Sequence, residues 1–456
     1  MSAPAEVSIL RFKDLSPTSD ALSTADDAWL TRLALDCQPE DYVVPFAARH
    51  PGDEPGPLLE RTTAGWSAGR YIGELRRGDR ILRIEPRLGI ETIGSWLRAI
   101  TGVVAVPHAA AQGDSADLLI APIVGQLWVS AVRQAARHGL PTLRTTRINT
   151  GTVVRGRLNG RATANLAARG VAQVGWTERP RSLNNPVGRT IIAADNVLGG
   201  LLDSHDPNWR GPRASEVVGH IRREVGNRPK LPLLSELNSV RYSPIRLPYR
   251  KLATLSWSIA RYRGIQNTPA GSDIDGILLD VAEVWELFVL HCCKRAFTAH
   301  SVRHGTTGDG RRYLLTAESD SRHGLGRLLP DIIIGDGPDL LIDAKYKRLS
   351  ESHWLQREDL YQLAAYVSQA TTADAVRTWD RGVSPSAQLP TGMLAYPADP
   401  GGSAKSREES LGPWLSSQGN RMVFVRLPVS ESACVESLRH AASATETRAE
   451  DEPSWT

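Results

Sequence analysis

LLPDIIIGDGPDLLIDAKYK, residues 328–347, decides how this chain is read. Two short apolar, β-branched-rich runs, LLPDIII and DLLIDAKY, flank GDGPD, whose Gly, Pro and Asp residues are turn formers. The pattern predicts a β-hairpin. With a five-residue loop from Gly335 to Asp339 centred on Gly337, Ile334 pairs with Leu340, and counting outward sets Asp331 opposite Asp343. Cross-strand neighbours have Cβ atoms about 4.5–5.5 Å apart. Because side chains alternate along a strand, Asp343 and Lys345 share one face while Ile342, Ala344 and Tyr346 point the other way.

Two carboxylates held this close disfavour joint ionisation unless a cation lies between them or one keeps its proton. Mg²⁺ is held by one or two carboxylates plus water and phosphate oxygens, which Asp331 and Asp343 could supply. A lysine beside such a metal can orient or help deprotonate an attacking water and offset charge developing on a phosphoryl group. Lysine is scarce in this chain, occurring only at positions 13, 230, 251, 294, 345, 347 and 405. That scarcity gives Lys345 weight against the alternative of a hairpin whose charges merely pair on a solvated face.

Pro330-Asp331 followed by Asp343-Ala344-Lys345 resembles the signature of the PD-(D/E)xK nuclease superfamily. The resemblance implies that the paired acids bind Mg²⁺ and that the lysine assists the attacking water. Downstream, REDLYQLAAYVSQA reads as a helix with Gln362 and Tyr366 four apart on one face. That spacing resembles the helix following the catalytic hairpin in several branches of the superfamily, where it supports the lysine or touches the DNA backbone. The same helix can equally pack Leu360, Leu363, Ala364 and Val367 on the sheet.

Upstream, ILLDVAEVWELFVLHCCKRAF carries apolar residues at Leu278, Val281, Val284, Trp285, Phe288 and Val289, a helical stripe. Glu286 lies beside it among apolar one-turn neighbours and needs a partner. In the resembled nucleases the first core helix contributes a glutamate to the metal site. Glu286 is the better match and Glu283 the competing one. Helix, strand, hairpin, helix, strand then gives an α/β nuclease core over about Ser272 to Pro428. RYLLTAES supplies a strand before the hairpin, TGMLAYPAD and RMVFVRLPV strands after the helix. Gly401 to Asn420 reads as a surface loop, and residues 443–456 as a disordered tail.

The 456-residue length suggests roughly two to three domains. The start lacks a charged segment followed by an apolar stretch, so no signal peptide is expected. The longest apolar run, LLIAPIVGQLWVSAV, is broken by Pro122, Gly125 and Gln126 and reads as a buried helix rather than a membrane span. Cys37, Cys292, Cys293 and Cys434 have no zinc or redox spacing, which fits a cytoplasmic setting. A net charge of +4 does not by itself indicate nucleic-acid binding. Arginine is concentrated in VVRGRLNGRATANLAARG and in DGRRY and SRHGLGR, so Arg155, Arg157, Arg322 and Arg327 are candidate contacts to DNA phosphates or to a partner. Structural ion pairs are the competing reading.

The first half divides into a β-rich region over residues 1–110 and a mostly helical one over 111–270, before the nuclease region at 271–442. RYIGELRRGDRILRIEPRLG alternates around the turn Gly78-Asp79, and IETIGSWLRAITG reads as a helix. APIVGQLWVSAVRQAARHGL and RLPYRKLATLSWSIARYRGI follow. No G-x-x-x-x-G-K-[ST] occurs, so the chain has no nucleotide-binding P-loop.

In order, LRIEPRLGIETIGSWLRAITG, VVRGRL, LLDVAEVWELFVL, LLPDIII, LIDAKYK, DLYQLAAY and MLAYPAD resemble the McrC family, the nuclease subunits of modification-dependent McrBC restriction systems. The resemblance covers about Ile81 to Asp399. The longer N-terminal lead, the Gly401 to Asn420 insertion and the acidic tail depart from it. It implies double-stranded DNA cleavage with Mg²⁺ after translocation by a hexameric AAA+ GTPase of the McrB type. The N-terminal region would stimulate that partner, which would bind the GTP. A stand-alone nuclease of the same superfamily, or a non-cutting adaptor that only activates a motor, are the rival readings.

Overall fold

The computed structural model describes residues 8–18, 21–39, 42–43, 56–101, 121–144, 146–203, 206–261, 274–305, 312–317, 320–335, 340–347, 355–380, 389–398, 411–416 and 419–446. The N-terminal part comprises β1 (Ser8–Lys13), α1 (Thr24–Asp36), β2 (Leu59–Thr62), β3 (Gly65–Ala68), β4 (Tyr71–Arg77), β5 (Arg80–Glu85) and α2 (Ile90–Thr101). The hairpin expected around Gly78-Asp79 forms, with Arg77 opposite Arg80 and Gly78 at φ 66°, where a side chain would be strained. Leu75, Leu82, Ile84 and Phe12 bury one face against Leu30 and Leu33 of α1. Ser23 caps α1, its hydroxyl accepting from the Asp26 N–H while the Asp26 carboxylate bonds back to Ser23.

The middle part holds α3 (Ala121–Ala135), β6 (Leu143–Arg144), β7 (Arg147–Gly151), β8 (Arg157–Leu158), α4 (Gly160–Ala168), β9 (Val174–Glu178), β10 (Arg181–Ser182), α5 (Pro186–Leu202), α6 (Gly211–Val225), α7 (Leu234–Asn238) and α8 (Pro248–Arg261). It is mostly helical, with a small sheet built by the arginine-rich segment in the order β7-β9-β8 and a two-stranded sheet of β6 and β10. The helices close on Val124, Trp128, Ile191, Leu198, Ile221 and Leu252, and the Trp128 indole N–H donates to Ser256 at 2.9 Å. Asp195 of α5, 3% exposed, is gripped by Arg210 at 2.6 Å and by Arg222. Truncation would leave Arg210 only Asp203 and Arg222 its amide partner Asn196, so Asp195→Ala is expected to cost about 2 kcal/mol in urea unfolding. A midpoint within experimental error of wild type would remove this bridge from the account.

The C-terminal part runs β11 (Ile274–Asp280), α9 (Val281–Ala296), β12 (Val302–His304), β13 (Arg312–Ala317), β14 (Asp320–Leu328), β15 (Ile332–Ile334), β16 (Leu340–Ala344), α10 (Arg357–Asp380), β17 (Thr391–Pro397), β18 (Leu411–Leu415), β19 (Arg421–Leu427) and α11 (Glu431–Glu446). Six strands form one sheet in the order β12-β15-β16-β17-β19-β18, parallel at β16-β17-β19. β16 and β17 are buried throughout, as central parallel strands covered on both faces are. One face packs Leu341 and Leu394 against Leu363 and Val367 of α10. The other packs Ile342 and Ala344 into the cluster containing Val284, Trp285 and Phe288 of α9.

Four local expectations change. Leu278, counted on the helical stripe, lies in β11, which returns to the N-terminal sheet and pairs antiparallel with β4. Asp280 then starts α9, its carboxylate accepting the Ala282 N–H. The strand expected in RYLLTAES exists as β13, but it pairs with β14 in a hairpin outside the six-stranded sheet. Its Leu314 and Leu315 stay exposed. Within the segment read as a loop, Leu411–Leu415 forms edge strand β18. Residues 443–446, read as tail, extend α11, and 447–456 lie outside the described residues.

N-terminal and C-terminal parts share one core. Trp96 of α2 stacks 5.3 Å from Phe288 and lies 5.0 Å from Trp285, and its indole N–H donates to the Val429 carbonyl at 2.8 Å. Among the described residues no helix is long and apolar enough to cross a membrane.

Candidate active site

The β15-β16 hairpin adopts the expected register. Ile334 pairs with Leu340 and Ile332 with Ile342, which leaves Asp331 and Asp343 as the next opposed positions. Asp331 Oδ2 accepts the Ala344 N–H at 2.7 Å, fixing this carboxyl against the opposite strand. Asp343 is 1% exposed, and its Oδ2 lies 2.8 Å from Lys345 Nζ without the alignment of a hydrogen bond. Lys345 Nζ donates to Gln362 Oε1 at 2.8 Å, and Gln362 Nε2 donates to Tyr366 Oη at 2.6 Å. The Gln-x-x-x-Tyr pair thus supports the lysine from α10, and Leu363 and Val367 beside it fill the core.

Glu286 reaches this region from α9. Burial, then the negative charges of Glu286 and Asp343, hold the Asp331 carboxyl well above the usual carboxylate range. Glu286 is also engaged by His304 of the edge strand β12, with Nε2 to Oε1 at 2.7 Å. Burial opposes the Lys345 ammonium, but the Asp343 and Asp331 carboxylates outweigh it and raise this group above its ordinary value. Its neighbours thus favour the ammonium form of Lys345, which can donate to an anion.

Among the described residues no group of three or more His, Cys, Asp or Glu is gathered in a way that could hold a metal ion. The donor set on offer is the facing pair Asp331 and Asp343. All-oxygen, doubly acidic and short of hydrogen-bond donors at Asp343 Oδ2, it suits a hard cation such as Mg²⁺ that keeps most of its water.

Sequence reasoning missed two partners. His304 sits on a three-residue strand too short to carry a periodic signal. Lys347 donates to both carboxylate oxygens of Asp359, at 2.9 and 3.1 Å, and the Tyr396 hydroxyl donates to Asp359 at 3.4 Å. The scarcity of lysine was the one available hint to Lys347, since its partners Gln356 and Asp359 lie just before and in the first turn of α10, beyond the strand. Arg155 and Arg157 are exposed on or beside β8 of the middle part, away from this cluster. Arg322 and Arg327 lie on β14, and their side chains fall outside what the structure describes.

A family model for McrBC 5-methylcytosine restriction system components matches residues 67–376. Among solved structures, a chain from a half-complex of a tetradecameric assembly of Thermococcus gammatolerans McrB AAA+ hexamers with bound McrC is similar in fold. It aligns over 96% of this chain and 100% of its own, with TM-score 0.53 and 11% identity. A chain of the Thermococcus gammatolerans McrBC complex aligns over 64% of this chain and 88% of its own, with TM-score 0.36 and 12% identity. No curated protein matches.

Proposed function

This chain belongs to the family of McrBC 5-methylcytosine restriction system components, and from that premise we propose that it is the DNA-cutting, McrC-type subunit, with a PD-(D/E)xK nuclease core. The reading is carried by one observation: two acids on neighbouring strands face each other with Lys345 beside them, held by a glutamine from the next helix. A hairpin serving only as scaffold has no need to bury that arrangement, because buried charge is costly unless used or compensated.

In this mechanism Asp331 and Asp343 hold Mg²⁺, and Glu286 adds negative charge that favours a divalent cation over two protons. The cation supplies Lewis-acid polarisation of the scissile phosphate and a more acidic water. Lys345, kept charged by Asp343, donates to the phosphoryl oxygens as negative charge builds there and orients the attacking water. Gln362 and Tyr366 keep its ammonium pointed at the site. Arg155, Arg157, Arg322 and Arg327 would serve contacts to the phosphate backbone or to the partner, outside the chemistry.

The partner is a McrB-like AAA+ GTPase hexamer that translocates double-stranded DNA in the cytoplasm. The similarity to a structure of McrB hexamers with bound McrC supports this, as does the lack of a P-loop in this sequence. We expect cleavage of 5-methylcytosine-containing plasmid only when this chain, such a GTPase, GTP and Mg²⁺ are combined, with the chain alone hydrolysing no GTP. Cleavage of unmodified plasmid by the purified chain without partner or GTP would instead support a stand-alone nuclease.

A further inference from the structure

Tyr346 follows Lys345 directly and points to the opposite face of its strand, where it is 4% exposed. Its surroundings come from the N-terminal part of the chain. The Arg87 guanidinium lies over its ring at 4.7 Å. Trp96 meets the ring edge-on at 6.3 Å. Arg87 Nε is 3.9 Å from Asp14 Oδ2, with side chains 2% and 0% exposed, and the Arg87 backbone N–H donates to Asp14 Oδ1. Burial, then the Asp14 carboxylate, pushes the Tyr346 hydroxyl well above its usual range. A carboxylate and a guanidinium are thus buried together against the tyrosine next to the catalytic lysine. Such burial costs several kcal/mol per ion before pairing and is retained in some proteins for the specificity of arrangement it imposes.

The location gives that arrangement a task. The ladder of β16 ends at Ala344, and beyond it Lys345 is tied to the sheet by its N–H to the Ala395 carbonyl at 2.9 Å. Rotation of the chain about its own axis there is resisted by what holds the side chains. Since successive side chains point to opposite faces, a rotation that moves Tyr346 moves Lys345 the other way. We propose that Tyr346 is a positioning residue: the buried Asp14–Arg87 pair of the N-terminal part grips it and so fixes the orientation of Lys345. The inference rests on the nuclease reading only for what Lys345 does. Through this contact the N-terminal part sets the geometry of the cutting strand.

The test uses the full chain with Arg87→Gln, which removes the cation over the Tyr346 ring, and independently with Asp14→Asn. Hydrogen exchange of residues 343–347 is expected to quicken about tenfold in both variants, with α5 unchanged. In the assembled complex kcat for plasmid cleavage is expected to fall about tenfold with KM for DNA and GTPase stimulation retained, and the double variant to be no worse than either single one. Unchanged exchange in 343–347 while wild type cuts DNA would overturn the positioning role and leave the nuclease intact. Exchange that quickens throughout the chain, α5 included, would also overturn it, since the cluster would then be scaffold alone. Local quickening in a chain whose wild type cuts no DNA would uphold the grip on this strand and sink the nuclease reading.

Discussion

Asp343→Ala is expected to lower DNA cleavage by the assembled complex roughly 10³-fold or more, while GTPase stimulation stays at the wild-type level. The side chain is the most buried acid of the facing pair and the one that holds Lys345, at 2.8 Å. Under the proposed mechanism its removal takes away a metal ligand and the charge that orients the lysine, and these losses act on one transition state. The proposed function gives stimulation of the partner to the N-terminal part, whose sheet and α1 close on a cluster of Phe12, Leu30, Leu33, Leu75 and Leu82 distinct from the one that takes in Ile342 and Ala344. Cleavage and stimulation should therefore separate in this variant. Wild-type cleavage by Asp343→Ala would return the chain to the adaptor reading, with the hairpin as structure.

The largest expected effect on stability lies at Trp96. Trp96→Ala is expected to cost roughly 3–5 kcal/mol in urea unfolding. The indole is fully buried, lies 5.0 Å from Trp285 and 5.3 Å from Phe288, and satisfies the Val429 carbonyl. The substitution opens a large cavity and leaves that carbonyl without its donor, two penalties of the same sign. Because α2 is N-terminal and α9 carries Glu286, loss of this ring also loosens the helix behind the acidic pair. A cost below about 1 kcal/mol would mean that α2 can leave the core without consequence, contrary to the packing described.

These two sites differ in how far the sequence revealed them. The hairpin register was legible because a short turn-forming loop and strict alternation together fix which residues oppose each other. Gln362 and Tyr366 were legible because four residues make one helical turn. By contrast, apolar runs such as ILLD, residues 277–280, satisfy a buried strand and a helix equally well, and only pairing with β4 far back in the chain settles β11 as strand. β14 and β18 were hidden by glycine and charge in GLGR and by the Gly- and Ser-rich segment before Leu411. His304, the Lys347–Asp359 pair and the Asp14–Arg87–Tyr346 cluster depend on contacts between elements distant in sequence, for which local pattern holds no signal. That Glu286 bears on Asp331 likewise needed the placement of α9 against the hairpin.

Dependence of cleavage on Mg²⁺ concentration, compared between wild type and Asp331→Asn in the assembled complex with GTP and modified plasmid, tests the central claim most directly. If the facing acids hold the cation, the half-saturating Mg²⁺ concentration should rise at least about tenfold in the variant. A variant that cuts at the wild-type rate with the same Mg²⁺ dependence would contradict the claim and place the chemistry elsewhere.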